Sequence, residues 1–291
     1  MSGMTLLFAG LVFVIGFALV FFNFVSKRSA KNDAMVDRLI ELNELTERKK
    51  MEKFMRDNDF YQVFQPFFDS GTGQIIGFEA LTRLHGESKS DTMPESFLKK
   101  IREQDLFEKF DLFVFKKCCE WIKDDENGFF VTCNFSRTTL AADGTAAKIA
   151  RIADQTGVKH SVIAIEILED AIEDCDDIIR RNIAELKNQG FHIYLDDFGK
   201  PYTSISDLAA FHPDVIKIDK GMLDGISSYD GRRLLESMIK FVKEVGAKAL
   251  CEGIETSEQA DIVKKFGCDL LQGYHFCKPM RAEKPADFPL P

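Results

Sequence analysis

Short apolar runs recur along this chain, and each ends on or carries a carboxylate, an amide or a lysine. They are Ile75–Leu81 with Glu79, Phe129–Asn134, Val162–Glu166, Ile193–Asp197, Val215–Asp219 with Lys217, Ala249–Glu252 and Leu270–Gln272. Short apolar runs bounded by polar residues predict buried strands. Amphipathic stretches alternate with them at Pro94–Gln104, Lys109–Trp121, Ala146–Thr156, Asp176–Asn188, Arg232–Val245 and Ser257–Phe266. Gly128, Gly157, Gly190, Gly246 and Gly267 follow helical runs, where a left-handed stop is expected. The alternation predicts βα units around a parallel sheet, so the fold class is α/β and the architecture a closed barrel of the TIM type. One departure is expected. Tyr61–Phe68 and Ile75–Leu84 are joined by Asp69-Ser70-Gly71-Thr72-Gly73, which reads as a hairpin and makes the first strand antiparallel to the second.

In such a barrel the carboxyl ends of the strands meet at one face, and that face carries the active site. The runs then deliver Glu79, Glu166, Asp196, Asp197 and Glu252 to one spot, with Asn134, Gln272 and Lys217. Acids crowded together repel one another, and an oxygen-rich donor set suits Mg²⁺ or Mn²⁺. Lys217 sits inside an apolar strand, which is costly unless its charge is paired. Neighbouring carboxylates would pair it, and such a lysine belongs to a functional site.

The chain before residue 59 has a different pattern. Thr5–Val25 is an uncharged, mostly apolar run, long enough to cross a bilayer as a helix. No Lys or Arg precedes it, and its end at Phe21-Phe22-Asn23-Phe24-Val25 is poor for signal cleavage. Lys27, Arg28 and Lys31 follow at once, which orients the carboxyl side toward the cytoplasm. The expected organisation is therefore a transmembrane anchor over 1–28, a linker helix over 29–58 and a barrel over 59–291. The expected location is the bacterial inner membrane, single-pass, with the barrel cytoplasmic. In the linker, Met35, Leu39, Leu42 and Thr46 have a heptad-like spacing that Lys49 and Lys53 end. That fits a solvated connecting helix or a weak dimer seam.

The formal net charge of −9 argues against a protein held to DNA or RNA by phosphate contacts. The seven cysteines show no CxxC pair and no zinc-type spacing, several lie in apolar runs, and reduced buried thiols are expected.

Glu79-Ala80-Leu81 with Arg83, preceded by Gln65-Pro66, opens an ordered series. Asn134-Phe135-Ser136, Glu166–Glu169, Asp196–Gly199, Lys217–Asp219, Glu252–Glu255 and Gln272-Gly273 continue it. The series resembles the EAL domain of bacterial cyclic di-GMP phosphodiesterases, from about Phe60 to Met280. The resemblance implies two divalent cations per active site, Mg²⁺ or Mn²⁺, and cleavage of one phosphodiester of cyclic di-GMP to leave linear pGpG. It implies Glu79, Asn134, Glu166 and Asp196 as ligands of one cation, and Asp196 with Asp197, near Glu252, as those of the other. Lys217 and Glu252 are implied as catalytic, Lys217 orienting the attacking water and Glu252 acting as general base. Gln65, Arg83 and Gln272 match substrate contacts, Glu169 and Glu255 match supporting positions, and a homodimer is expected. The chain departs from the family at Leu168, where Thr is usual, and at Lys200-Pro201-Tyr202-Thr203-Ser204, where Thr-Gly-Tyr-Ser-Ser is usual. Pro201 fixes φ and removes a backbone donor where Gly gave freedom. That change bears on turnover more than on folding, and leaves a non-hydrolysing cyclic di-GMP receptor as the alternative.

Overall fold

In the computed structural model the described residues are 60–84, 95–168, 177–198 and 211–288, with single positions between 35 and 55. The chain divides into two compact units, Met1–Asp57 and Asn58–Pro291. In the first unit the described positions from 35 to 55 are helical, and Met35 and Leu42 of the heptad-like stripe are exposed. The apolar run Thr5–Val25 lies outside the described residues. Among those described, no helix is long and apolar enough to cross a membrane.

The second unit is a closed barrel of eight strands in sequence order. The strands are β1 (Phe60–Asp69), β2 (Ile75–Leu84), β3 (Phe130–Phe135), β4 (Ile163–Leu168), β5 (His192–Phe198), β6 (Val215–Ile218), β7 (Lys248–Cys251) and β8 (Leu270–Leu271). β1 is antiparallel to both β2 and β8, and every other pair is parallel. The expected hairpin is present. The Asp69 carboxylate accepts from the backbone N–H of Thr72 at 2.7 Å and of Gly71 at 3.1 Å, which closes the turn. Thr72 holds that carboxyl below the usual carboxylate range.

Around the strands lie α1 (Glu95–Glu103), α2 (Phe107–Ile122), α3 (Arg137–Leu140), α4 (Thr145–Thr156), α5 (Asp177–Asn188), α6 (Lys220–Asp224), α7 (Tyr229–Glu244) and α8 (Ser257–Lys265). Each predicted helix is present, with ends shifted by up to about a turn, as helix boundaries commonly are. The largest shift is in α7. It begins at Tyr229 because Ser228 caps it, its hydroxyl accepting from the Gly231 N–H at 3.0 Å. α2 buries Phe110, Val114, Phe115, Cys118, Cys119 and Ile122, a stripe at helical spacing. Its Trp121 stacks on Phe64 of β1 at 3.6 Å and donates to the Ala282 carbonyl at 3.0 Å, tying the C-terminal segment to the wall.

One layer of the barrel interior is apolar. Phe67, Ala164, Tyr194, Val215, Leu250 and Leu270 form one buried cluster. Side chains alternate across a strand, so the residue two positions on points the same way. Two positions on from that cluster stand Glu166, Asp196, Lys217, Glu252 and Gln272. On antiparallel β1, two positions back from Phe67, stands Gln65. The polar layer is thus stacked directly on the apolar one. Gly77 completes the arrangement below Glu79: a Cβ there would stand 2.7 Å from the Phe67 ring and 2.8 Å from the Phe130 carbonyl. Only glycine leaves room for the Phe67 plug.

Candidate active site

The polar layer closes on Lys217. This lysine is 1% exposed. Its Nζ lies 2.5 Å from Glu166 Oε1, 2.7 Å from Glu252 Oε1, 3.1 Å from Asp196 Oδ1 and 3.4 Å from Glu79 Oε1. Strands β2, β4 and β5 and the residue after β7 each supply one carboxylate, and β6 supplies the cation. Gln272 Nε2 donates to Glu79 Oε2 at 2.8 Å, and Gln65, opposite Glu79 in register, donates to the Cys277 carbonyl at 3.2 Å.

Burial and mutual repulsion set the charges. Burial pushes the Glu166 carboxyl well above its usual range, and Glu79 and Asp196 add to this against the pull of Lys217. Burial also raises Glu252, to about 8, with Asp196 and Glu79 adding and Lys217 opposing. Asp196 stays below its usual value, because Lys217 and the Asp197 N–H, 2.8 Å away, outweigh its burial. Burial alone would lower Lys217, but the carboxylates of Asp196, Glu166, Glu252 and Glu79 outweigh it and hold it firmly protonated.

Two clefts open on this face. One, of about 350 Å³, is lined by Gln65, Glu79, Asp196, Lys217, Glu252 and Gln272, with Lys220, Glu255 and Tyr274 at its rim. The other, of about 450 Å³, holds Asn134 and Arg83 over apolar Leu98, Phe107 and Val114. The structure therefore gathers Gln65, Glu79, Glu166, Asp196, Lys217, Glu252 and Gln272 as expected. It places Arg83 and Asn134 in the adjoining cleft, with Asn134 paired in register to Glu166. Asp197 has φ 62°, a left-handed backbone position near the end of β5. Glu255 pairs with Lys220 at the rim. Glu169 and the segment Lys200–Ser204 lie outside the described residues.

By donor chemistry the site fits a hard divalent cation, since its ligands are all oxygens. Glu166 Oε2 is buried with no hydrogen-bond partner among the described residues, which a cation would satisfy. As placed, however, no three of the described His, Cys, Asp or Glu side chains form a group that could hold a metal ion. The carboxylates are turned to Lys217 instead.

Two contributors escaped the sequence pattern. Asp111 of α2 is 6% exposed and accepts from Ser136 N at 2.9 Å, Ser136 Oγ at 2.7 Å and Thr139 Oγ1 at 2.5 Å. It fixes the chain just beyond Asn134, and burial raises its carboxyl to about 6. An acid on the buried stripe of α2, between Phe110 and Val114, was its available signal. The other is Lys220. A lysine after a strand-end Asp is ordinary, and nothing in the pattern marked it.

A closed βα barrel with a reversed first strand and an acid-lined carboxyl-end cleft defines the class. The EAL domain model matches residues 48–279, and the chain belongs to the EAL domain family. The biofilm architecture maintenance protein MbaA of Vibrio cholerae is 29% identical over 80% of this chain and 30% of that protein. The oxygen sensor protein DosP of Escherichia coli is 26% identical over 80% of this chain and 30% of its own. This chain thus spans about a third of the length of those relatives. Among solved structures, the PaMucR phosphodiesterase in complex with c-di-GMP has a TM-score of 0.74 at 22% identity, over 82% of this chain and 98% of that one. The FimX EAL domain of Pseudomonas aeruginosa bound to c-di-GMP has a TM-score of 0.70 at 18% identity, over 80% and 96%. These two establish the shared fold.

Proposed function

We propose that this protein is a metal-dependent phosphodiesterase that opens cyclic di-GMP to linear pGpG. The observation that carries the reading is the convergence of Glu79, Glu166, Asp196 and Glu252 on buried Lys217 at the carboxyl-end face, within an EAL domain. Glu79, Asn134, Glu166 and Asp196 would hold one Mg²⁺ or Mn²⁺, and Asp196 with Asp197 the second. Bound there, the cations supply charge to the attacking and leaving oxygens and acidify bound water. Glu252 titrates at about 8, a value matched to taking a proton near neutral pH. Lys217 holds Glu252 and Asp196 in place through its ammonium and orients the water. Arg83 is suited to grip a phosphate through paired N–H groups, while Gln65 and Gln272 orient the ligand.

The test is incubation of the purified protein with cyclic di-GMP and Mg²⁺ or Mn²⁺, with and without chelator, followed by product separation. Linear pGpG that appears only with the cation is the expected result. Activity surviving thorough chelation refutes the metal requirement, and no product in any condition refutes the enzyme. One observation favours a second reading, a cyclic di-GMP receptor without turnover: the acids are arranged around Lys217 rather than around a metal position. Binding by calorimetry without product on the same samples would select it. Thr5–Val25, followed by Lys27, Arg28 and Lys31, supports a cytoplasmic-membrane anchor for this barrel, and the family resemblance supports a homodimer.

A further inference from the structure

The carboxylate cleft has a second lysine that the roles above leave unused. Lys220 opens α6, three residues after Lys217, and lines the cleft beside Glu79, Asp196, Glu252 and Gln272. Lys217 already has its charge matched by four buried contacts. Among the described residues the rest of the charged lining is acidic (Glu79, Asp196, Glu252 and Glu255), so Lys220 is the lining cation left to meet a phosphodiester.

Lys220 is placed to do so. Gly253, next to Glu252, has φ 65°, and a Cβ there would stand 2.6 Å from both Cβ and Cγ of Lys220. The lysine stem therefore lies against the backbone that follows Glu252, and its root is fixed beside the acids. Its ammonium pairs with Glu255, and both side chains are about half exposed, at 48% and 49%. An ion pair that wet is held weakly. The ammonium has three donors on a flexible stem, so a second anion in the cleft can take it over.

We propose that Lys220 is a phosphate-binding residue of this cleft and that Glu255 competes with the ligand for it. The proposal rests on the reading of the cleft as a cyclic dinucleotide site. It gives the two halves of one ion pair opposite effects. Lys220→Gln removes a contact to the ligand and weakens binding. Glu255→Gln removes the competitor and one negative charge, and tightens it. A pair that only braced the rim would lose affinity from either side.

The experiment is calorimetric titration of the full chain with cyclic di-GMP in Ca²⁺, at low and high salt, with thermal melts on the same samples. Lys220→Gln should weaken binding about tenfold, the scale of one hydrogen bond between charged groups. Lys220→Arg should keep most of the affinity, because it keeps the cation. Glu255→Gln should tighten binding about threefold, the scale of an exposed pair. That gain should vanish in the Lys220→Gln background and shrink at high salt. Unchanged affinity in Lys220→Gln, or weaker binding in both single variants, overturns the proposal. If Lys220→Gln does not fold, Lys220→Arg and Glu255→Gln decide: equal weakening in both overturns it. No binding by the unaltered protein overturns the dinucleotide reading itself.

Discussion

A lysine inside a barrel persists only with its charge matched, and Lys217 meets four carboxylates between 2.5 and 3.4 Å. Removing one partner of a buried ionic network costs about 3–5 kcal/mol, because the other charges are left unpaired. Lys217→Met should therefore lower the metal-free stability by that order in a denaturant melt. Added Mn²⁺ should recover part of it, since a divalent cation can serve the same acids. A Lys217→Met chain as stable as the unaltered one, with or without Mn²⁺, would show that the acids do not depend on a shared cation. Glu252 sets a pH dependence of definite sign. Its folded value, about 8, lies above its ordinary value, so protons are bound more tightly in the folded state. In metal-free protein its stabilising contribution is full below the ordinary carboxylate range and is lost as pH rises through about 8. Glu166, assigned as a cation ligand, is also raised and must lose its proton to bind the cation, so Mn²⁺ affinity should rise with pH and binding should release protons. Calorimetry in buffers of different ionisation enthalpy measures the release; a pH-independent affinity with no release contradicts the assignment. Glu252→Gln should keep ligand affinity and slow turnover by about 10²-fold or more, the range of general-base catalysis.

At the scale of elements, the site is a layer, and most of that layer was legible. Every polar strand end was visible because the apolar run breaks there on a charged or amide residue. The two-residue step from Tyr194 to Asp196, or from Val215 to Lys217, is the signature of one strand face. The antiparallel β1 was legible too, because Asp69 and the glycines after it are hairpin chemistry. What the pattern could not give is pairing across elements. Arg83 shares a strand and a face with Glu79 but opens on the adjoining cleft, and Asn134 goes with it. Asp111 depends on a contact between α2 and the turn into α3, twenty-five residues apart, which no local periodicity encodes. Asp111→Ala leaves Ser136 and Thr139 without their acceptor, a loss of about 1–3 kcal/mol for buried donors. A thermal melt should show that loss together with weaker dinucleotide affinity, since the Asn134 end of β3 is no longer tied. A Tm within a degree of the unaltered protein would mean that the turn holds itself.

For the whole molecule, the division at Asp57 and Asn58 leaves one closed barrel that contains every residue assigned to the site. A sheet without free edges, with an apolar cluster at its centre and a polar layer above it, has all it needs to bury its own core. If Thr5–Val25 is an anchor and nothing more, then the fragment beginning at Asn58 should be soluble, melt in one transition and bind cyclic di-GMP with the affinity of the full chain. The full chain should sediment with the cytoplasmic membrane, and its barrel should resist protease added to intact cells. A processed soluble form in cells, or external digestion of the barrel, would favour a cleaved signal segment over the anchor. A fragment that folds but binds many times more weakly would give the first unit a second task. The exposed Met35 and Leu42 would then be the first positions to change to Ser, since a helical seam between two copies is the simplest way for that unit to act on binding.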